Sequence, residues 1–367
     1  MNKIIRNARL LNNKRIDIIY NDEQIIKLGN NLECQSCEEV ILPPNSYLSA
    51  GWIDMHTHCF EGFDLYEANA DTIGIRTGVT TIVDAGTTGF NHIDQFYNDT
   101  LTSKTRVYAF INISELGIER QNELSDMNFV NKESVIKKIN QYPEFIVGIK
   151  ARMSQSVVGE NDVEPLKIAK KAGRSLNKPV MVHIGSNPPK LKDIVTLLEK
   201  DDIITHVYNG KANGILDNDN KVLDFMWKAK NDGIILDLGH GTDSFNFEVG
   251  EQAIAQSFTL DTISTDIYSR NMEKGPVYDL ATTMNKMLFL GYEKERVLAM
   301  VTTKPAQVLN LKHQGDLEVG NYPDFTIFKY HEINQSLFDS NGNERKQCQG
   351  FETLGCIVKG EYYGTQK

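Results

Sequence analysis

"GWIDMHTHCFEG", residues 51–62, sets two histidines one residue apart behind a run of apolar side chains. On a strand successive side chains alternate faces, so Asp54, His56 and His58 point the same way. Two imidazoles converging on one side of a strand end suggest a metal site; the plainer alternative is a pair of surface or packed histidines. The choice turns on what the rest of the chain brings beside them.

Outward from this stretch, short β-rich runs alternate with helical ones. The strand candidates are "GWIDMHTH" (51–58), "TTIVDAG" (80–86), "RVYAFINI" (106–113), "FIVGIKARM" (145–153), "PVMVHIG" (179–185), "DIITHVYN" (202–209), "GIILDLGH" (233–240) and "TISTDIY" (262–268). Eight is the number that closes a barrel. The runs are rich in Val, Ile and Thr and nearly continuous in apolar character, as strands buried on both faces are. Roughly 30 residues separate them on average, room for one crossover helix each. The intervening "VEPLKIAKKAGRSLNK" (163–178) and "DIVTLLEKD" (193–201) carry apolar residues at helical spacing. This alternation predicts an α/β fold, a (β/α)8 TIM barrel over residues 51–312.

The ends differ in texture. Residues 1–50 alternate apolar and polar with Asn-rich turns, and after 313 "QGDLEVGNYPDFTIFKY" and "CIVKGEYYG" again read as strand and turn. A small β-sandwich domain built from both termini, 1–50 and 313–367, is the economical arrangement.

With 367 residues the chain can bury the core of an enzyme. A hydrophobic content of 40% and a mean hydropathy of −0.36 describe a soluble globular protein, with no apolar run long enough to cross a bilayer. The opening "MNKIIRNARLLNNKRIDIIY" breaks its apolar residues with Asn, Lys and Arg and so lacks the core of a signal peptide, which points to the cytoplasm. A net charge of −10 argues against binding a nucleic-acid backbone. The expected partner is a small-molecule substrate, with no membrane and with a homo-oligomer left open. Five cysteines, at 34, 37, 59, 348 and 356, are an odd number and fit free thiols in a reducing compartment. Cys34-x-x-Cys37 has the spacing of half a zinc ribbon or of a redox pair. No second such pair and no βαβ context accompany it, so it reads as an incidental loop feature.

Catalytic side chains of such barrels sit at the carboxyl ends of the strands. His56, His58, His183, His206 and His240 lie at or near the ends of strand candidates one, five, six and seven. His92, His313 and His331 fall elsewhere and read as ordinary loop or surface residues. Two further polar residues interrupt apolar strands: Lys150 in "FIVGIKARMS" and Asp266 in "TISTDIYS". A lysine in a buried strand is costly unless paired or chemically altered; a structural salt bridge is the plain reading.

Taken together, His56, His58, Lys150, His183, His206 and Asp266 match in type and strand order the metal site of the amidohydrolase superfamily, which the chain resembles over nearly its whole length. The late "TTKPAQVLNL" and "GDLEVGNYPDFTIF" are similar to that superfamily's closing segment. "GIKARMS", "HIGSNPP", "DLGHG" and "STDIYS" resemble the branch called amidohydrolase/deacetylase metallohydrolases, relatives of dihydroorotase that are sometimes labelled adenine deaminases. The resemblance implies two divalent metal ions, zinc foremost, bridged by a carboxylated Lys150, which draws on CO2, and by hydroxide. His56, His58 and Asp266 would hold one ion, and His183 and His206 the other. Imidazole and carboxylate suit zinc but accept other first-row metals. Ions about 3.5–4 Å apart can share one hydroxide, acidify it and polarise a carbonyl. Asp266 would then also act catalytically, moving the proton to the leaving atom.

Arg152 lies two residues beyond Lys150 and so faces the same cavity, where its guanidinium suits a substrate carboxylate. Tyr208, two past His206, and His240 are placed by the same argument to touch the substrate or the oxyanion. Packing or a supporting hydrogen bond is the rival reading for each. The loops 154–162, 209–220 and 241–247, rich in Gly, Asn, Asp and Ser, border the pocket. The expected function is a binuclear metal-dependent hydrolase that cleaves an amide or ester acyl bond, deacetylating a small carboxylate-bearing substrate through a metal-bridging hydroxide. A dihydroorotase-like cyclic amidase and a purine deaminase share the site, although mononuclear deaminases of the superfamily generally lack the strand-four lysine. A catalytically silent scaffold belongs to another class; such scaffolds usually lose ligands, and none is missing here.

Overall fold

The computed structural model describes residues 1–365. Strands β1 (Lys3–Arg9), β2 (Arg15–Tyr20), β3 (Ile25–Gly29) and β4 (Glu38–Glu39) form a sheet in the order β3-β2-β1-β4, and β5 (Tyr47–Ala50) leads out of it. A parallel sheet of seven strands follows: β6 (Trp52–Thr57), β7 (Val79–Ala85), β8 (Arg106–Asn112), β9 (Ile146–Met153), β10 (Val180–Ile184), β11 (Ile203–Thr205) and β12 (Ile235–Leu236), each beside its neighbour in chain order. Every residue of β6 and β7 is buried. This is the condition of strands with side chains filling a barrel on one face and helices packed on the other.

The eighth expected strand, 262–268, does not form a regular ladder. Thr262 bridges Asp237 and Ile267 bridges Thr57, so the segment closes the barrel through single contacts at its two ends. Asp266 is the reason: its φ of 53° is left-handed and interrupts the alternation that a ladder needs. Its backbone N–H donates to His56 O at 2.7 Å, which ties the eighth segment to β6 beside the paired histidines.

The helices expected at 163–178 and 193–201 are present as Glu164–Leu176 and Leu191–Leu197. The first has Pro165 in its opening turn, where no N–H partner is needed, and stops at Asn177 in the left-handed region. It buries Leu166, Ala169 and Ala172 in the barrel's outer core.

At the C-terminal end β13 (Phe325–Phe338), β14 (Glu344–Val358) and β15 (Glu361–Gly364) form a second sheet with β5, ordered β15-β14-β13-β5. Ile5, Ile18 and Tyr20 of the first sheet pack in one core with Leu48, Phe325, Ile327 and Ile357 of the second. The β13–β14 hairpin runs on past this core. Phe328, Leu337 and Phe351 join the barrel's own core, and the hairpin tip grips the loop after β12. There Phe247 N donates to Asp339 Oδ2 at 2.9 Å, Asn246 Nδ2 to Asn341 Oδ1 at 2.9 Å, and Ser340 Oγ to Gly241 O at 3.2 Å.

One cysteine expectation is corrected. Cys34 and Cys37 are joined in a disulfide, their Cα atoms 5.6 Å apart, while Cys59, Cys348 and Cys356 are free. The loop between β3 and β4 turns tightly enough to bring the pair within bonding reach, where it packs on Ile4, Ile19 and Leu32. Among the described residues no helix is long and apolar enough to cross a membrane.

Candidate metal centre

The ends of β6, β9, β10 and β11 and the closing segment bring the six expected residues to one place. His58 Nε2 lies 3.0 Å and His56 Nε2 3.4 Å from Asp266 Oδ1, and Lys150 Nζ lies 3.2 Å from His56 Nε2. The His206 ring lies 5.1 Å from His56, tilted to it, and 4.4 Å from His183, edge to face, ring centre to ring centre. His56, Lys150 and His206 are each only 1% exposed, so water does not satisfy their polar atoms. Lys150 fits because residue 86 is glycine: a Cβ there would stand 2.4 Å from Lys150 Cβ.

Hydrogen bonds behind the rings fix which nitrogens face the centre. Thr205 Oγ1 donates to Asp237 Oδ2 at 2.8 Å and therefore accepts from His56 Nδ1 at 2.9 Å. Thr87 Oγ1 donates to Asp84 Oδ2 at 2.6 Å and accepts from His58 Nδ1 at 2.7 Å. His206 Nδ1 donates to Gly239 O at 2.6 Å. With their protons held on Nδ1, all three imidazoles turn an Nε2 lone pair inward, the arrangement of metal-ligating histidines.

Two features show that this donor set suits a divalent cation. Buried His206 Nε2 has no hydrogen-bond partner among the described residues, and burial holds the ring's pKa at about 3, so no proton fills the gap at neutral pH. His58 Nε2 and Asp266 Oδ1, an imidazole lone pair and a carboxylate oxygen 3.0 Å apart, are two electron-pair donors placed side by side, as ligands of one cation are. His56, His58 and Asp266 together place one ligand atom each within 4.8 Å of one another. His206 and Asp266 also both adopt left-handed backbone, φ 68° and 53°, which costs energy in non-glycine residues and gathers at functional sites. Burial brings the Lys150 ammonium down to about 7, so a neutral amine is accessible near neutral pH.

The residues expected to touch substrate fare differently. Arg152 does lie beside the centre, but its Nη1 donates to both oxygens of Glu123 at 3.2 Å, and Glu123 is fully buried. His240 is buried with both ring nitrogens engaged: Nδ1 donates to Gly241 O at 2.8 Å, and Nε2 accepts from Lys286 Nζ at 2.7 Å. Lys286, on the helix Leu280–Phe289, also donates to Pro276 O at 2.7 Å. His240 thus secures the loop around Gly241, where a Cβ would come 2.5 Å from Asp266 Oδ2.

Tyr208 points the other way, into the packing between barrel and helices. Its hydroxyl donates to Phe258 O at 2.7 Å and lies 3.0 Å from Tyr292 Oη. The expectation failed because β11 ends at Thr205 and His206 is left-handed, so the two-residue alternation no longer holds at position 208. Tyr208→Phe is accordingly expected to lower stability by about 1–3 kcal/mol, the usual penalty for orphaning a buried polar group. Denaturant unfolding checks the loss, and KM should be unchanged.

Sequence reasoning also missed Asp84 and Asp237, although each interrupts an apolar strand as Lys150 does and was open to the same argument. Glu123 and Lys286 gave no comparable signal, since neither lies on a barrel strand.

The chain is similar to known proteins over nearly its whole length. A model of the amidohydrolase family matches residues 47–361. The sequence is 44% identical over 362 residues, 98% of each chain, to a protein of Enterococcus faecalis named deacetylase. A solved structure described as an adenine deaminase matches with a TM-score of 0.96 at 44% identity, covering 99% of each chain. Another, described as a dihydroorotase, gives 0.91 at 32% identity over 100% of this chain and 99% of that one.

Proposed function

That this chain belongs to the amidohydrolase family is the premise from which we propose its reaction: removal by water of an acetyl group, held as an amide or an ester, from a small carboxylate-bearing molecule. The chain is a metal-dependent hydrolase, and the acetyl substrate is the finer reading. The observation that carries it is the unpartnered His206 Nε2 beside the His56, His58 and Asp266 donors, a set suited to activating water. The full-length likeness to a protein named deacetylase supports the choice of acyl group.

His56, His58 and Asp266 are proposed to hold one ion and His183 and His206 a second, with zinc the metal these donors suit best. When bound, such a pair acidifies water and polarises the acyl carbonyl. Lys150, as the neutral amine, would add to CO2 and lose a proton, and the anionic two-oxygen group so formed would offer both oxygens as metal ligands. Asp266 accepts the proton that the attacking water gives up and returns it to the departing nitrogen or oxygen.

The test is metal analysis of protein supplied with zinc and bicarbonate, followed by hydrolysis assays on N-acetyl and O-acetyl acids, cyclic ureides and purines. About two metals per chain and release of acetate are expected. Opening of a ureide or release of ammonia from a purine, without acetate from any acetyl acid, would overturn the reading. Chelation should lower Tm, and added metal should restore it, because a ligand that binds only the folded chain stabilises it.

A further inference from the structure

Three cations around the centre have partners. Lys150 reaches His56, Arg152 reaches Glu123, and Lys286 reaches His240 and Pro276 O. Lys211, in the loop after β11, is half-buried, yet among the described residues no acceptor lies within hydrogen-bonding or ion-pairing distance of its Nζ. A partly desolvated ammonium without a partner is unfavourable unless something anionic comes to it.

The backbone of this loop is fastened on both sides of Lys211. Asn209 Nδ2 donates to the carbonyl of His206 at 2.8 Å, and Asn209 Oδ1 accepts the backbone N–H of Lys211 at 3.0 Å. On the other side Asn213 Nδ2 donates to Gly185 O and Pro189 O, both at 3.0 Å, in the loop that follows His183. Lys211 therefore sits between two anchors, one on the carbonyl of His206 and one on the loop that follows His183. Burial lowers its proton affinity, Asp243 and Asp266 pull it back up, and Arg152 pushes it down, which places these charged groups in its surroundings. Of the two acids, Asp243 is exposed and Asp266 faces His56 and His58.

Arg152 presents a different balance. Both oxygens of the fully buried Glu123 lie on its Nη1, so that nitrogen of the guanidinium is already taken by a carboxyl group of the chain, one whose pKa burial pushes up. Resting on the deacetylase reading, we propose that Lys211, rather than Arg152, supplies the net positive charge that binds the carboxylate of the acetylated substrate. Arg152 contributes donors of fixed direction from a guanidinium already held by Glu123, and selection between an acid and its neutral analogue lies with Lys211.

The probes are N-acetylalanine with N-acetylalaninamide, and O-acetyl-lactate with its amide, assayed on metal-loaded wild type, Lys211→Met and Lys211→Arg, with metal content measured for each. In Lys211→Met the acid-over-amide preference in kcat/KM should fall about tenfold or more, chiefly through KM, as expected when one charged contact is lost. Lys211→Arg should recover most of it. Calorimetric binding of lactate to the same proteins should weaken in parallel, a readout independent of turnover. Equal changes on acid and amide, or unchanged lactate binding, would overturn the assignment to Lys211. Absence of acetate release from all four compounds by the wild type would overturn the reaction itself, and this proposal with it.

Discussion

Asp266→Asn is expected to lower kcat by about 10²–10⁴, the usual contribution of a group that moves a proton in the transition state, while substrate binding changes little. The backbone favours a clean comparison. Residue 266 has a φ of 53°, and asparagine is among the few residues at ease in that region, so the loop should keep its shape. The amide occupies the space of the carboxylate and retains one oxygen able to remain in the donor set with His56 and His58, but it cannot take up a proton near neutral pH. Loss of metal is the confound, because the same side chain belongs to the donor set with His56 and His58. Metal content and steady-state kinetics are therefore measured on the same preparation. A variant with full metal and near-normal kcat would show that Asp266 is a ligand only and that another group moves the proton.

Lys150→Met is expected to abolish the paired metal site without unfolding the chain. Methionine matches the slot in length and polarity, since Lys150 is 1% exposed and already touches Met181 Sδ at 3.4 Å. Replacing a buried ammonium by an apolar side chain removes a desolvation penalty, so the metal-free variant should be no less stable than the metal-free wild type. Metal content should fall to one ion per chain or fewer, and activity by more than the roughly 10–100-fold that follows loss of an outer hydrogen-bond partner. Calorimetric unfolding with and without zinc separates the two effects. Two retained metals and wild-type turnover in Lys150→Met would exclude a bridging role for this lysine.

The barrel and the polar residues that interrupt its strands were legible in the sequence by itself, and the resemblance to a known superfamily is what joined those residues into one candidate centre. Strand periodicity and crossover length are local properties, and a polar residue breaking an apolar strand, as His56, His58, Lys150 and Asp266 do, is visible without any knowledge of neighbours. Such residues can be justified only at the strand ends, where a site can use them. What lies beyond the last regular residue of a strand was decided by the tertiary structure alone. Left-handed backbone at His206 and Asp266 cancels the alternation rule, which turned Tyr208 into the packing layer and reduced the eighth strand to two bridges. The Glu123 partner of Arg152, the Lys286 partner of His240 and the hairpin tip at Gly241 join positions 29, 46 and 99 residues apart. No periodicity links residues at such separations; only the closing of the barrel and the docking of the terminal sheets bring them within a hydrogen bond, and with them the choice of which cations remain free to meet a substrate.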